Sequence, residues 1–278
     1  MLLPVVLVGI TGIIVNSVHS KSSVVNTVLE VNNVHTLWYG AGVSTPPAAT
    51  RRERVRFETT AEIKQAAWAD MARNGPSALS LRAVARDLGM APSAIYRYFA
   101  SRDDLLSALI IDAFSELADT LDATYERVRA AGAPNAGAEF LTLAAAYRRW
   151  ALDRPTEYRL VFSTVVPGYS GTPGTTAAAA RATAALERVI CDMVKEGSVD
   201  LAAMDALVSD GLRQQLATWA ALLGDDLPEG AVFAAMLCYI AMHGAINLEM
   251  NGHFPPSLSD SEELFTAAMH AVVAQIGT

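Results

Sequence analysis

The chain has 278 residues and two cysteines, Cys191 and Cys238, which lie far apart in apolar, helix-like sequence and are expected to be reduced core thiols of a cytosolic protein. No Cys/His cluster has the spacing of metal ligands, so neither a metal nor a cofactor is expected. The net charge of -8 is uneven: residues 51–100 hold nine basic and five acidic side chains (+4), and residues 101–278 hold eleven and twenty-three (-12). This pattern indicates a polyanion-binding segment joined to a larger part that does not bind polyanions.

Residues 1–50 begin with the apolar run MLLPVVLVGITGIIV, which Pro4, Gly9 and Gly12 interrupt. A membrane-spanning helix needs about 20 predominantly apolar residues. A signal peptide would have a positively charged start, whereas no basic residue precedes Lys21. We therefore expect a poorly ordered leader, with a membrane tether as the alternative.

Four arginines within six residues precede the first predicted helix. They are Arg51, Arg52, Arg54 and Arg56. Such a run suits either a solvated linker or an arm that lies against a phosphate backbone. The helix itself is predicted to begin at the capping box formed by Thr59 and Glu62, and to end at Asn74 and Gly75.

Two further short helices are predicted, one at 81–88 capped by Ser80 and one that opens at Pro92. Between them, Gly89 suits the left-handed backbone of a tight turn, so the pair forms a helix-turn-helix. The next helix is predicted to be capped by Ser101 and to carry Arg102 in its first turn. A cation at that end opposes the helix dipole, and a phosphate bound at the helix N-terminus would offset its charge. Side chains on the outer face of the third helix can meet base edges and phosphates. The predicted DNA contacts are Arg51, Arg52, Arg54, Arg56, Ser80, Arg82, Pro92, Ser93, Ala94, Tyr96, Arg97, Tyr98 and Arg102.

The segment 63–106 resembles the DNA-binding domain of the TetR (tetracycline-repressor) family of bacterial regulators. In that family the recognition helix reads Leu/Ile-Tyr-x-His/Tyr-Phe and is followed by a basic residue and acidic ones. Here the same stretch reads IYRYF, followed by RDD. Tyr98 stands where His is commoner, and Arg102 where Lys is commoner. The leader departs from the family pattern, because members usually begin shortly before the first helix.

The rest of the chain reads as helices separated by breaks rich in Gly, Pro and Asn. The predicted helices are 102–130, 138–152, 155–165, 176–196, 200–223, 229–250 and 259–276. Ser259 and Glu262 are predicted to cap the last of them. We therefore predict an all-α protein. Its predicted parts are a leader (1–50), a helix-turn-helix DNA-binding domain (51–104) and an effector-binding and dimerisation domain (105–278).

The pair His243 and Gly244 lies inside a predicted helix. A glycine there costs about 1 kcal/mol relative to alanine, so we expect a compensating close helix contact at Gly244. The surrounding stretch YIAMHGAINLEMNG is similar to the C-terminal domain of a TetR subgroup that carries Trp-x-x-x-His-Gly followed by Leu-Glu, with Tyr239 in place of the Trp. His243 is either a hydrogen-bonded core residue or a ligand contact.

Aromatic and sulfur-containing side chains recur along the predicted helices after residue 138. They suit a core, or the lining of an apolar effector cavity that the family resemblance implies between the middle helices. The candidate effector contacts are Tyr147, Trp150, Tyr158, Phe162, Trp219, Met236, Tyr239 and His243. An ionic effector would need a buried partner, and Arg148, Arg149 and Glu249 are expected to be solvated. We therefore expect a small apolar effector with one or two hydrogen-bonding groups.

No nucleophile with an orienting base and no phosphate-binding loop is evident, so an enzyme is not expected. The residues and the resemblance together predict a cytoplasmic homodimeric repressor. Each helix-turn-helix would read one half-site of a palindromic operator, and a small apolar effector would release the protein. The resemblance implies that the last two long helices pair across the dimer as a four-helix bundle. The alternatives are a small-molecule-binding protein or enzyme that retains a helix-turn-helix, and a membrane-tethered regulator that uses the leader.

Overall fold

The computed structural model of the protein describes residues 50–223 and 227–278. The leader expected at 1–50 therefore lies outside the described residues, except for Thr50. All regular structure within the described ranges is helical, which confirms the predicted fold class.

The described residues form two compact units. The first consists of residues 50–113 and Thr156–Ala179, and the second of Phe114–Pro155 and the described residues from Ala180 onward.

Four helices begin in the first stretch of the chain. They are α1 (Arg51–Asn74), α2 (Leu81–Asp87), α3 (Pro92–Ile95) and α4 (Arg102–Ala130). The first of them starts earlier than predicted. Thr50 is its N-cap: the Thr50 hydroxyl accepts from the backbone N–H of Glu53 at 3.3 Å, and the Glu53 carboxylate accepts from the backbone N–H of Thr50 at 2.7 Å. The predicted capping box at Thr59 is wrong because this second Thr-x-x-Glu sequence lies inside the helix.

The turn between α2 and α3 has the geometry that its sequence predicts. Gly89 adopts φ 64°, in the left-handed region, and the N–H of Met90 donates to the carbonyl of Ala85 at 2.8 Å. Val84 and Ile95 are fully buried beneath the turn. The prediction that the Ser80 side chain caps α2 is wrong: Ser80 occupies the N-cap position, but its side chain makes no capping hydrogen bond.

Seven further α-helices follow. They are α5 (Ala136–Asp153), α6 (Pro155–Tyr158), α7 (Pro173–Lys195), α8 (Leu201–Leu207), α9 (Asp210–Leu223), α10 (Glu229–Met250) and α11 (Ser261–Ile276). A π-helical turn, Arg159–Ser163, continues α6. The bounds predicted for α4 and α10 match those observed.

The helices predicted at 138–152, 155–165 and 176–196 match the observed ones to within three residues at each end, and two other predictions about helix ends are wrong. The helix predicted at 200–223 is broken at Val208, whose backbone is extended and whose side chain is buried in an apolar cluster with Leu216 and Val232. The final helix is capped by Asp260, whose carboxylate accepts from the N–H of Glu263 at 2.8 Å. Burial of the Val208 side chain ends one helix, and the capping hydrogen bond of Asp260 starts the other, at positions that the local sequence pattern did not predict.

Helix α10 is the central helix of the second unit, where it packs against α5, α8, α9 and α11. Among the described residues it is the one helix long and apolar enough to cross a membrane, with a mean hydropathy of 1.7 over its most apolar window. A helix that is apolar around its whole circumference is expected in a protein core, and packing against four helices accounts for its buried apolar residues, whereas Ile240 and Leu248 stay exposed.

The start of α10 approaches α8 closely at Gly230. A Cβ atom there would lie 2.7 Å from the carbonyl oxygen of Leu201 and 3.0 Å from a carboxylate oxygen of Asp205. We expect Gly230→Ala to lower the free energy of unfolding by about 1–3 kcal/mol, since the backbone must move to admit the methyl group. The urea unfolding midpoint measures this change. Gly211→Ala is the control, because a Cβ at Gly211 meets nothing within 4 Å. Equal midpoints for the two variants would contradict the tight contact.

Candidate nucleic-acid interface and effector site

The exposed face of α3 and the turn that follows it carry the side chains predicted to contact DNA. Ser93, Tyr96 and Arg97 are exposed, whereas Ala94 and Tyr98 are half-buried. The opposite face is buried and fixes the orientation of α3 within the unit. A short helix with an exposed guanidinium, phenol and hydroxyl presents the donors that base edges and phosphates accept.

The four arginines before the predicted first helix lie instead in the first two turns of α1, and all four are exposed. Their predicted position before the helix is therefore wrong: they form an exposed arginine ridge on the first two turns of α1, and their contact with a phosphate backbone stays a prediction. The Arg56 guanidinium lies 5.4 Å from the centroid of the Tyr98 ring, a cation–π contact between α1 and the turn after α3. The sequence carried no signal for this pair, because its members are far apart in the chain.

Arg102 does not project freely from the start of α4. Its Nε donates to the carbonyl of Leu79 at 3.0 Å, and its Nη2 donates to the carbonyl of Ser77 at 3.2 Å. The predicted cap is confirmed, since the N–H of Asp104 donates to the Ser101 hydroxyl at 3.0 Å. Arg102 thus ties the loop before α2 to the start of α4.

The remaining predicted DNA contacts flank α2 and α3. Arg82 and Pro92 are exposed, and Ser80 is half-buried. They remain predicted contacts.

Four of the candidate effector residues come together in the second unit. The ring centroids of Trp150 and Tyr147 lie 6.3 Å apart, those of Tyr147 and His243 5.3 Å apart, and those of His243 and Tyr239 4.2 Å apart. The Tyr147 hydroxyl is 3.1 Å from His243 Nε2. Burial lowers the pKa of His243 to about 3, so its imidazole is neutral at neutral pH.

The other candidate effector residues are distributed differently. Tyr158 and Phe162 belong to the first unit, where their ring centroids are 5.3 Å apart. Met236 packs against the apolar cluster at the junction of α9 and α10. The side chain of Trp219 lies outside the described part of the structure.

Arg148 and Glu249 form an ion pair between α5 and α10 rather than two solvated charges, so that expectation is wrong. Arg148 Nη2 lies 2.6 Å from Glu249 Oε1, and Arg148 Nε lies 2.8 Å from Oε2. Burial would raise the pKa of Glu249, but hydrogen bonds from Arg148 and Ser261 and the charge of Arg148 outweigh it and hold that pKa below its usual value. Arg149 is exposed, as expected.

Two segments of the chain match known protein families. Residues 63–109 match the tetR family of bacterial regulatory proteins, and residues 140–272 match the tetracyclin repressor-like C-terminal domain. The chain is 33% identical over 231 residues to the HTH-type transcriptional regulator Rv1816 of Mycobacterium tuberculosis (strain H37Rv), which covers 81% of this chain and 94% of that protein. The HTH-type transcriptional regulator Mb1846 of Mycobacterium bovis matches equally well.

Solved structures agree with these matches. The regulatory protein SCO4313 superimposes with a TM-score of 0.63 at 36% identity, covering 81% of this chain and all of that one. A TetR family transcription regulator from Marinobacter aquaeolei VT8 shares the fold, with a TM-score of 0.53 at 16% identity, covering 81% of this chain and 98% of that one. With the helix-turn-helix formed by α2 and α3, these likenesses show that the chain belongs to the TetR family of transcriptional regulators, with an N-terminal DNA-binding domain and a C-terminal ligand-binding domain.

Proposed function

We propose that this regulator is a cytoplasmic homodimer that represses transcription from a palindromic operator and is released by a small apolar effector. The observation that carries the proposal is the exposed face of α3 beside the arginine ridge of α1, in a chain that is otherwise acidic. The cation–π contact between Arg56 and Tyr98 joins these two surfaces. One duplex can therefore meet base-reading groups on α3 and phosphate-binding groups on α1 together.

An exposed apolar stripe on α10 supports the dimer. Ile240, Gly244 and Leu248 are four residues apart and so share one helix face; Ile240 is 57% exposed and Leu248 is 44% exposed. The close contact expected at Gly244 does not occur within the described chain, where a Cβ at that position meets nothing within 4 Å. We place that contact between two copies of the chain. A two-fold dimer presents two copies of α3 and so matches a palindromic site.

The chemistry of the second unit supports an uncharged effector. His243 is neutral at neutral pH, and the charges of Arg148 and Glu249 pair with each other. An ionic effector in this region would have to give up its hydration without a countercharge from Arg148 or Glu249. An effector that binds more tightly to the conformation unable to bind DNA would shift the protein towards that conformation. The size of the shift is set by the ratio of the effector's affinities for the two conformations.

Selection from randomised duplexes, followed by binding titrations, tests the proposal. The selected sequence should be an inverted repeat. Arg97→Ala should weaken binding to that repeat by about 1–3 kcal/mol and should affect a scrambled duplex less, because Arg97 lies on the base-reading face. Arg52→Ala is the matched control: it removes one arginine from the α1 ridge and should weaken binding to both duplexes alike. Equal losses on both duplexes for Arg97→Ala would contradict base reading by α3.

The dimer has its own test at Gly244. Gly244→Leu places a bulky group in the proposed contact, and overpacking of this kind typically costs about 1–3 kcal/mol. We expect sedimentation equilibrium to show a dimer dissociation constant raised about tenfold or more. Glu126→Leu, at an exposed position of α4, is the control and should leave the dimer unchanged. An unchanged dimer in Gly244→Leu would place Gly244 outside the interface.

A further inference from the structure

The side chain of Trp150 is buried together with its polar atom. Trp150 is 4% exposed, and its indole Nε1 has no hydrogen-bond partner among residues 50–223 and 227–278. A buried donor without a partner loses its hydration and gains no hydrogen bond in return, and buried tryptophans usually pair this group. The position is therefore costly for the chain alone.

Trp150 lies at one end of the row of rings that continues through Tyr147 and His243 to Tyr239. Within that row the Tyr147 hydroxyl and His243 Nε2 are already 3.1 Å apart and bond to each other. The Trp150 N–H takes no part in this hydrogen bond and is a buried donor without a partner among the described residues. The hydrogen bond with Tyr147 engages one nitrogen of His243, which is itself a candidate effector contact.

We infer that the effector carries a neutral hydrogen-bond acceptor, such as a carbonyl or ether oxygen, and that the Trp150 indole N–H donates to it. The inference rests on the proposed function, in which the C-terminal domain binds an apolar effector. An indole N–H can only donate, so a group that itself only donates is excluded as its partner. A carboxylate is disfavoured because the nearby cation, Arg148, is paired with Glu249.

Pairs of probes of equal shape, with and without a carbonyl oxygen, test the inference on the full chain. The pairs are acetophenone with α-methylstyrene, and cyclohexanone with methylenecyclohexane. Indole N–H resonances of ¹⁵N-tryptophan-labelled protein are recorded during each titration, and Trp150→Phe assigns the Trp150 signal. We expect each ketone to move that signal downfield. Each ketone should also bind about tenfold more tightly than its hydrocarbon partner, because one additional hydrogen bond changes affinity by about this factor.

The same titrations in two variants isolate the donor. In Trp150→Phe the ketone and the hydrocarbon should bind about equally well, because the N–H that donates to the carbonyl is gone. The aromatic ring, and with it most of the packing, is retained. In Trp68→Phe, which removes an indole from α1, the tenfold preference should persist. A Trp150 signal that moves with neither ketone, or a preference that is the same in wild type and Trp150→Phe, would overturn the inference. An unchanged signal throughout is also the result expected if a buried water alone satisfies the N–H.

These titrations contain no DNA, so their failure can be told apart from failure of the proposed function. A chain that binds its selected inverted repeat but shows no ketone preference keeps the proposed DNA recognition and loses the inference about Trp150. A chain that selects no duplex fails the proposed function whatever the indole signal does.

Discussion

Arg148→Met is expected to lower the free energy of unfolding by about 3 kcal/mol. The change removes one partner of the ion pair between α5 and α10 and leaves the Glu249 carboxylate, whose side chain is 13% exposed, without its cation. Breaking a buried pair in this way typically costs about 3–5 kcal/mol, because an uncompensated charge remains in a poorly solvated place. The lower end applies here, since the carboxylate keeps some exposure and a hydrogen bond from Ser261 at 2.6 Å.

Urea unfolding of three variants separates this effect from loss of packing. Arg148→Met combined with Glu249→Leu should be more stable than Arg148→Met alone, because the second change removes the stranded charge. Arg149→Met changes the neighbouring exposed arginine and should shift stability by less than about 0.5 kcal/mol. A loss as small in Arg148→Met as in Arg149→Met would mean that Arg148 and Glu249 are solvated after all.

Lowering the pH from 7 to 5 is expected to remove about 2 kcal/mol of stability through His243. Its pKa is about 3 in the folded chain, against an ordinary value of 6.5. Between these values the unfolded chain binds a proton that the folded chain does not. The contribution is therefore fully present above pH 6.5 and is lost towards pH 3 at about 1.4 kcal/mol for each pH unit. The lowered pKa of Glu249 acts below its ordinary value of 4.5, outside this window.

Urea midpoints at pH 5, 6 and 7 measure this slope. His243→Phe should flatten it, whatever the variant does to stability at pH 7, because the group that must stay unprotonated is gone. His270→Gln removes an exposed imidazole from α11 and should retain the wild-type slope. An equal slope in wild type and His243→Phe would show that the buried imidazole does not cause the acid destabilisation.

Features specified by neighbouring residues were predictable from the sequence. The helix-turn-helix follows from Gly89 at the turn, Pro92 at the start of α3 and the apolar positions around them, all within one short segment. The bounds of α4 and α10 follow from caps and breakers beside them in the chain. Where two similar capping patterns competed, as at Thr50 and Thr59, local sequence did not discriminate, since both present a hydroxyl three residues before a glutamate.

Features that depend on packing between distant segments were not predictable. Arg148 and Glu249 are 101 residues apart, so only the contact between α5 and α10 reveals that they pair. The same holds for Arg56 and Tyr98, and for the break at Val208, where burial of the side chain interrupts a helical pattern. For the candidate effector site, residue types and helical spacing predicted which aromatic residues are candidates. Only the structure shows that His243 has a hydrogen-bond partner in Tyr147 and that the Trp150 N–H has none among the described residues.

Binding of the full chain to its selected inverted repeat and to a scrambled duplex, measured by fluorescence anisotropy between 50 and 200 mM KCl, tests DNA recognition most directly. If the dimer contacts roughly 6–10 phosphates, log affinity should fall against log salt with a slope of about -0.9 per phosphate, a loss of about 10³–10⁵ over this range. The inverted repeat should remain the tighter site at every salt concentration. A slope near zero, or equal affinity for the two duplexes, would contradict sequence-specific DNA binding by this chain.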